Sequence, residues 1–182
     1  MVLKTWVAVV IETLKSFLNL EEDNGSVANG KKIANILARR VLYLAIDYGL
    51  VLASAAIVVT MEALGFSFFA AFVILWIFDF VTACAFVVFY EKTGQDLSLG
   101  EDFRRATDTI HNRSQIAGRL TMLLIMFQAI YWNGPEQIVI FFRKEICTIY
   151  RVIGTILGLT AIQAVIWTVL YGFGYNLLER VF

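Results

Sequence analysis

The sequence contains few of the residues on which metal, cofactor and catalytic sites depend. Its 182 residues include one histidine, two cysteines and one proline. The single histidine, His111, excludes a bis-histidine haem, and two cysteines without a Cys-x-x-Cys spacing provide neither a zinc nor an iron–sulfur site. Phosphate-binding loops and dinucleotide-binding glycine patterns are also absent from the sequence. We therefore expect no cofactor, no metal site and no enzymatic activity.

Charge is scarce as well. Charged residues make up 16% of the chain, against about 25% in soluble proteins, and the formal net charge is zero. With no basic excess, nothing in the composition favours nucleic acid as a partner. The chain is instead 59% hydrophobic with a mean hydropathy of +0.74, so much of its surface must face lipid. This composition predicts an integral membrane protein whose first partner is the bilayer.

Four apolar runs dominate the sequence from residue 31 to residue 182. They cover residues 41–61, 66–90, 116–133 and 152–178, and each is close to the ~20 residues that cross about 30 Å of hydrocarbon as a helix. The first two are joined by Glu62-Ala63-Leu64-Gly65, a link so short that it can join only antiparallel neighbours. The predicted fold is all-α, a bundle of four transmembrane helices.

Two segments outside these runs have a pattern of their own. Residues 1–20 place apolar side chains at helical spacing and polar ones opposite, which predicts an amphipathic helix at the membrane interface or against a partner subunit. Residues 21–30 are acidic and then rich in Asn, Gly and Ser, which predicts a polar loop. Residues 135–142 have two interpretations: an outer interfacial helix, which we favour, or the continuation of a third span broken at Gly134.

Asp47 and Asp79 are the most informative polar residues, because each lies inside an otherwise uncharged span. An aspartate at a helix centre costs about 2.5 to 3.5 kcal/mol on insertion scales, and such residues are commonly functional. Counted from the link, their depths differ by only about 4 to 5 Å at 1.5 Å per residue. The two carboxyl groups are therefore expected to share one site. They either bind a proton or cation, or fix the helix register through a hydrogen bond or an ion pair, for example with Arg119.

Other candidate residues favour helix packing. Gln128 and Gln163 lie inside the third and fourth predicted spans and could pair as amides across helices. Small residues form a stripe on the first span at Gly49, Ala53 and Ala56, and Gly154 and Gly158 form a Gly-x-x-x-Gly motif on the fourth. Both patterns allow a close approach of another helix, from this chain or from a second copy.

The distribution of lysine and arginine predicts an orientation. With four spans and a cytoplasmic N-terminus, all but three of the 15 Lys and Arg residues would lie on the cytoplasmic side. The three exceptions are Arg143, Lys144 and Arg151. Both termini and the loop after the second span are therefore predicted to be cytoplasmic. Arg104, Arg105 and Arg113 of that loop, and Arg119 near the start of the third span, either only set this orientation or also touch anionic lipid head groups.

These observations favour a function without catalysis. The first interpretation is a subunit, scaffold or assembly factor of a larger membrane complex, with protein partners or further copies of itself in the membrane. The alternative is a small transporter or channel coupled to a proton or cation at Asp47 and Asp79. The two hypotheses differ in whether the buried carboxyl groups titrate during function or only hold helices together.

Overall fold

The computed structural model describes residues 12–13 and 26–181, and within this part of the chain it contains helices and no strand. Its elements are α1 (Ser26–Ala63), α2 (Phe68–Thr93), α3 (Gly100–Arg113), α4 (Gln115–Gln128), a π-helical segment (Ala129–Asn133), α5 (Pro135–Phe141) and α6 (Ile149–Val181). Apart from the helical residues Glu12 and Thr13, the predicted amphipathic helix at residues 1–20 lies outside the described residues. So do residues 21–25 of the predicted loop. Residues 26–30 form the first turns of α1, so the loop prediction is wrong there.

Three of the helices are long and apolar enough to cross a membrane. The candidate spans are Ile33–Ala63, Phe68–Thr93 and Ile149–Tyr175, with mean hydropathies of 2.0, 2.5 and 1.9. They include most of the first, second and fourth predicted runs. No more than 33% of the most apolar window of any of them is buried inside the protein. Since most of this apolar surface faces outward, lipid is the environment that suits it.

A tight turn joins α1 to α2. The N–H of Gly65 donates to Glu62 O at 2.9 Å, and that of Phe66 donates to Met61 O at 3.0 Å. Gly65 has a φ of 74°, which glycine adopts without the steric cost of a side chain. Together these features form a Schellman-type helix end. Ser67 then caps α2 by accepting the N–H of Ala70, and the two helices run antiparallel as predicted.

Two apolar clusters hold the three long helices together. Val58, Leu75 and Ala164 pack near the α1–α2 turn, and we call this end of the bundle the link end. At the opposite end Ala83 and Val87 of α2 pack against Val139, Val152 and Ile156. We call that end, which holds the start of α1, the end of α2, all of α3 and the start of α6, the basic end. The helix α6 runs from there to the link end, where Gly172 lies beside Glu62.

The third predicted span is not one crossing helix. A Cβ on Gly118, near the start of α4, would lie 2.6 Å from the Cα of His111 on α3. At the far side of the break, Arg104 of α3 donates to Phe141 O at the end of α5 over 2.8 Å. Both ends of the unit therefore lie against α3 at the basic end. The α4–π–α5 unit, which we call the hairpin, enters the bundle, turns at Gly134 and returns.

The favoured prediction for residues 135–142, an outer interfacial helix, is wrong. All seven residues of α5 are buried. The alternative correctly placed a break at Gly134, where φ is 108°, but the chain turns back there instead of continuing outward. The physical reason is that Glu136 and Gln137, the two polar side chains of α5, each form a hydrogen bond inside the bundle, while the other residues of the helix are apolar. α5 can therefore be buried on all sides.

Candidate intramembrane polar site

A cavity of about 60 Å³ lies where α1, α2, α6 and the tip of the hairpin meet. Its polar lining consists of Asp47, Asp79, Thr82, Glu136 and Gln163, and its apolar lining includes Phe78, Trp132 and Pro135. A space of this size is enough for about one or two water molecules, each occupying roughly 30 Å³ in the liquid. Polar groups from four separate elements thus converge on one small volume inside the bundle.

Asp47 and Asp79 line the same cavity, one from α1 and one from α2. Their similar depth follows from the turn at Gly65, which fixes the register of the two helices. Trp76, one turn before Asp79, fastens α2 to α6 because its indole N–H donates to Leu157 O and to Thr160 Oγ1, each at 3.2 Å. Gln163 lies on α6 one turn after Thr160 and joins the same lining.

Glu136 is the member of this site that sequence reasoning missed. It is buried at the first turn of α5, and the hydroxyl of Tyr43 on α1 donates to its Oε1 at 3.3 Å. Its carboxylate folds back over Gly134, where a Cβ would meet Glu136 Oε2 at 2.5 Å. A side chain at position 134 would therefore collide with the carboxylate. The signal that could have revealed the site is Gly-Pro-Glu between two apolar runs, which we read as an external helix start.

The electrostatics of the cavity are one-sided. Among the described residues its lining contains three carboxyl groups and no Lys, Arg or His. Burial disfavours an ionised carboxylate, and neighbouring carboxylates disfavour one another's ionisation. The arrangement is therefore most favourable when protons or a mobile cation neutralise part of the charge.

The carboxyl groups do not form a metal-ligand set. Within residues 12–13 and 26–181, no three His, Cys, Asp or Glu side chains lie close enough to hold one ion together. The three acids surround the cavity from different sides instead of converging on a point. This geometry suits transfer of a proton between groups, or through a water, more than direct coordination of a metal ion.

Two predicted members of the polar network lie elsewhere. Arg119 is exposed on α4 and lines a different cavity at the basic end, so the suggested ion pair with Asp47 or Asp79 is not formed. Gln128 is exposed at the end of α4 and is absent from the cavity lining, whereas Gln163 belongs to it. The reason is the hairpin, which turns one side of α4 outward and leaves Arg119 and Gln128 at opposite edges of that side, outside the core.

The predicted packing glycines also face outward. A Cβ on Gly49, Gly154 or Gly158 would meet nothing within 4 Å, so these glycines make no close helix contact within the described part of the chain. Ala53 is half-buried and Ala56 exposed on the same helix as Gly49. None of the described residues covers these small-residue surfaces on the outside of the bundle.

Comparison of the chain with protein-family models, with curated proteins and with solved structures finds no match.

Proposed function

We propose that this protein moves protons across a membrane, using the carboxyl groups of Asp47, Asp79 and Glu136 as its binding groups. The observation that carries the proposal is the convergence of three acids from three elements on one cavity whose described lining has no basic side chain. Placing an acidic side chain inside a membrane costs free energy, and acids found there are commonly part of ion or proton pathways. A carboxyl group that changes between neutral and charged forms is the simplest proton carrier that the chain offers.

The hairpin supports this proposal. Irregular backbone at membrane depth is tolerated where it is buried in protein or lines a cavity, and interrupted helices frame the binding sites of many transporters. Here the π-helical segment, Gly134 and Pro135 bring the tip of the hairpin to the cavity. Glu136 can then meet Asp47 and Asp79 without a fourth crossing helix.

We further propose that the basic end faces the cytoplasm. Within residues 26–181 every Lys and Arg except Arg180 lies at or towards that end, since Arg143, Lys144 and Arg151 return to it with the hairpin. The positive-inside rule then favours a cytoplasmic basic end more strongly than four crossing helices would. In this orientation the start of α1 and the end of α6 lie on opposite sides of the membrane, which differs from the expectation from sequence.

The test is proton flux into liposomes. Purified protein is reconstituted with a pH-sensitive dye inside, and a potassium gradient with valinomycin supplies the driving potential. Asp47→Asn, Asp79→Asn and Glu136→Gln keep the shape of each side chain but remove its titration, so each is expected to reduce flux at least tenfold. The matched control is Glu62→Gln, an acid at the link end outside the cavity lining. Flux that equals that of empty vesicles, or that survives all three substitutions, contradicts the proposal.

A second candidate is a subunit of a larger membrane assembly, and the open surfaces at Gly154 and Gly158 favour it. A Gly-x-x-x-Gly face that packs against none of the described residues is suited to a helix of another chain. Gly154→Leu with Gly158→Leu would block such a contact while leaving the cavity intact. Crosslinking in intact membranes should then lose an adduct that the wild type forms. If the wild type forms no adduct, the assembly candidate is contradicted.

A further inference from the structure

A second cavity lies at the basic end, between α3, the first half of α4 and the end of α5. Its volume is about 300 Å³, several times that of the polar site. Apolar side chains, Met122 and Phe141 among them, form part of its lining, and charged groups of both signs form the rest. A cavity that is apolar on one side and ionic on the other suits an amphiphile better than a simple ion.

The charges in this cavity differ in how far they are already satisfied. Arg104 binds Glu145 through two hydrogen bonds, Nη1 to Oε2 at 2.7 Å and Nη2 to Oε1 at 2.6 Å. Arg119 makes no hydrogen bond or ion pair with any residue that the structure describes. Among the described residues, Asp108 has only a distant charged contact, 3.9 Å from Arg104 Nε, and 65% of its side chain is exposed. One cation and one anion thus remain available in the same lining.

The outer face of α4 shows where the cavity opens. Ile116, Leu120, Leu123, Leu124 and Phe127 are all exposed, and their spacing places them on one face of the helix. Arg119 lies at the edge of this face, with Leu123 one turn further along. A chain of carbon atoms that leaves the cavity beside Arg119 would therefore pass directly onto apolar surface.

We propose that this cavity binds the headgroup of a zwitterionic phospholipid of the phosphoethanolamine class. The phosphate contacts Arg119, the primary ammonium contacts Asp108, and an acyl chain lies over Leu123. Charge complementarity selects this ligand. An anionic headgroup would be repelled by the carboxylate of Asp108, and a quaternary ammonium has no N–H to donate to that carboxylate. The proposal is independent of proton movement at the other cavity.

The test is native mass spectrometry of the full-length protein after exchange into mixed micelles. Phosphatidylethanolamine, phosphatidylglycerol and phosphatidylcholine of identical chains are offered in equal amounts. The wild type is expected to retain phosphatidylethanolamine at least fivefold over either competitor. Arg119→Gln should lower total retention about tenfold, and Asp108→Asn should abolish the preference between headgroups while retaining lipid. Arg151→Gln, an exposed arginine at the same end that lines neither cavity, is the matched control.

Four results would each overturn the proposal. The first is equal retention of the three lipids by the wild type, and the second is retention unaffected by Arg119→Gln. The third comes from a photo-crosslinking amino acid introduced at Met122, which should capture lipid. Capture of residues 1–25 of this chain, or of a second copy, would mean that protein occupies the cavity. Soluble glycerophosphoethanolamine separates a lipid from a free phosphate ligand: it should compete at least a hundredfold more weakly, and equal competition contradicts a lipid.

Discussion

The Tyr43 hydroxyl donates a hydrogen bond to Glu136 Oε1 over 3.3 Å, and both side chains are almost fully buried. Tyr43 belongs to the first long helix and Glu136 to the tip of the hairpin, so this bond joins elements that are 93 residues apart in the chain. It is longer than the usual ~2.8 Å of an O–H···O bond. We infer that it positions the carboxylate of Glu136 beside Asp47 without holding it rigidly.

Replacing Tyr43 with Phe removes this hydrogen bond and keeps the ring. The carboxyl group of Glu136 then loses one of its donors in a buried site, so we expect the free energy of unfolding to fall by about 1 to 2 kcal/mol. Thermal unfolding in detergent measures this as a lower Tm. Tyr48→Phe is the matched control, because Tyr48 lies on the same helix and is exposed. Equal Tm values for the two variants would contradict a role for the bond.

The sequence was sufficient to predict the long helices and one part of the site. Lipid-facing segments are hydrophobic over their whole length, so the apolar parts of α1, α2 and α6 follow from run length alone. The common cavity of Asp47 and Asp79 follows from the short link, because a turn of known length fixes the register of two antiparallel helices. Run length and link length are both properties of short stretches of sequence, so they can be read without knowledge of the tertiary fold.

The hairpin was not predictable in the same way. An apolar run of 116–133 is long enough to cross, and contacts between residues far apart in the sequence, such as those of Gly100 and Arg104 with α5, show that it turns back. The misplacement of Glu136 follows from that error, since a helix start outside the membrane and one at the tip of a hairpin have the same Gly-Pro-Glu signature. Once the hairpin is placed, the positions of Arg119 and Gln128 follow.

Gly100 is a sensitive point of contact between α3 and α5. A Cβ there would lie 2.7 Å from Gln137 O and 2.9 Å from Phe141 N, both backbone atoms. Gly100→Ala must therefore push the two helices apart, and we expect a loss of about 1 to 3 kcal/mol in stability, as for other overpacked sites. Gly154→Ala is the control: it has open space around it and should leave Tm unchanged or slightly raised, because alanine favours helix. Comparable losses in both would contradict the contact.

Gln137 ties α5 to the segment before α3. Its side-chain amide donates to Ser98 O at 2.8 Å, and the residue is 0% exposed. Gln137→Leu keeps most of the volume but leaves the Ser98 carbonyl without this donor, which should cost about 1 to 3 kcal/mol. Faster hydrogen exchange in α5 and at residues 95–100, with protection in α2 retained, would locate the effect. Unchanged exchange in α5 would show that the bond does not hold the hairpin.

The Arg104–Glu145 pair gives the basic end a pH dependence. The hydrogen bond from Arg104 lowers the pKa of Glu145 below its ordinary value, which is about 4.3 in an unfolded chain. A carboxyl group whose pKa is lower in the folded state stabilises the fold at pH values above its unfolded-state pKa. This stabilisation is lost as the pH falls through the folded-state pKa. The free energy of unfolding of the wild type should exceed that of Glu145→Gln by about 0.2 to 1 kcal/mol near pH 7, as for other exposed ion pairs. This difference in stability should shrink below about pH 4. A difference that did not change with pH would show that the Arg104–Glu145 pair does not cause it.

Cys147 provides a direct test of whether the hairpin returns to the side from which it entered. The residue is exposed and follows α5 at the basic end, so in a Cys84→Ala background it is the sole thiol. If α4 and α5 form a hairpin, a membrane-impermeant maleimide should label Cys147 from the same face as the variant Asp108→Cys. The variant Leu64→Cys, at the link end, should react only from the opposite face when Cys147 is also replaced by Ala.

If residues 116–133 instead crossed the membrane, Cys147 would be labelled from the same face as Leu64→Cys. That outcome would also move Arg143, Lys144 and Arg151 to the opposite face and so weaken the charge asymmetry that supports the proposed orientation.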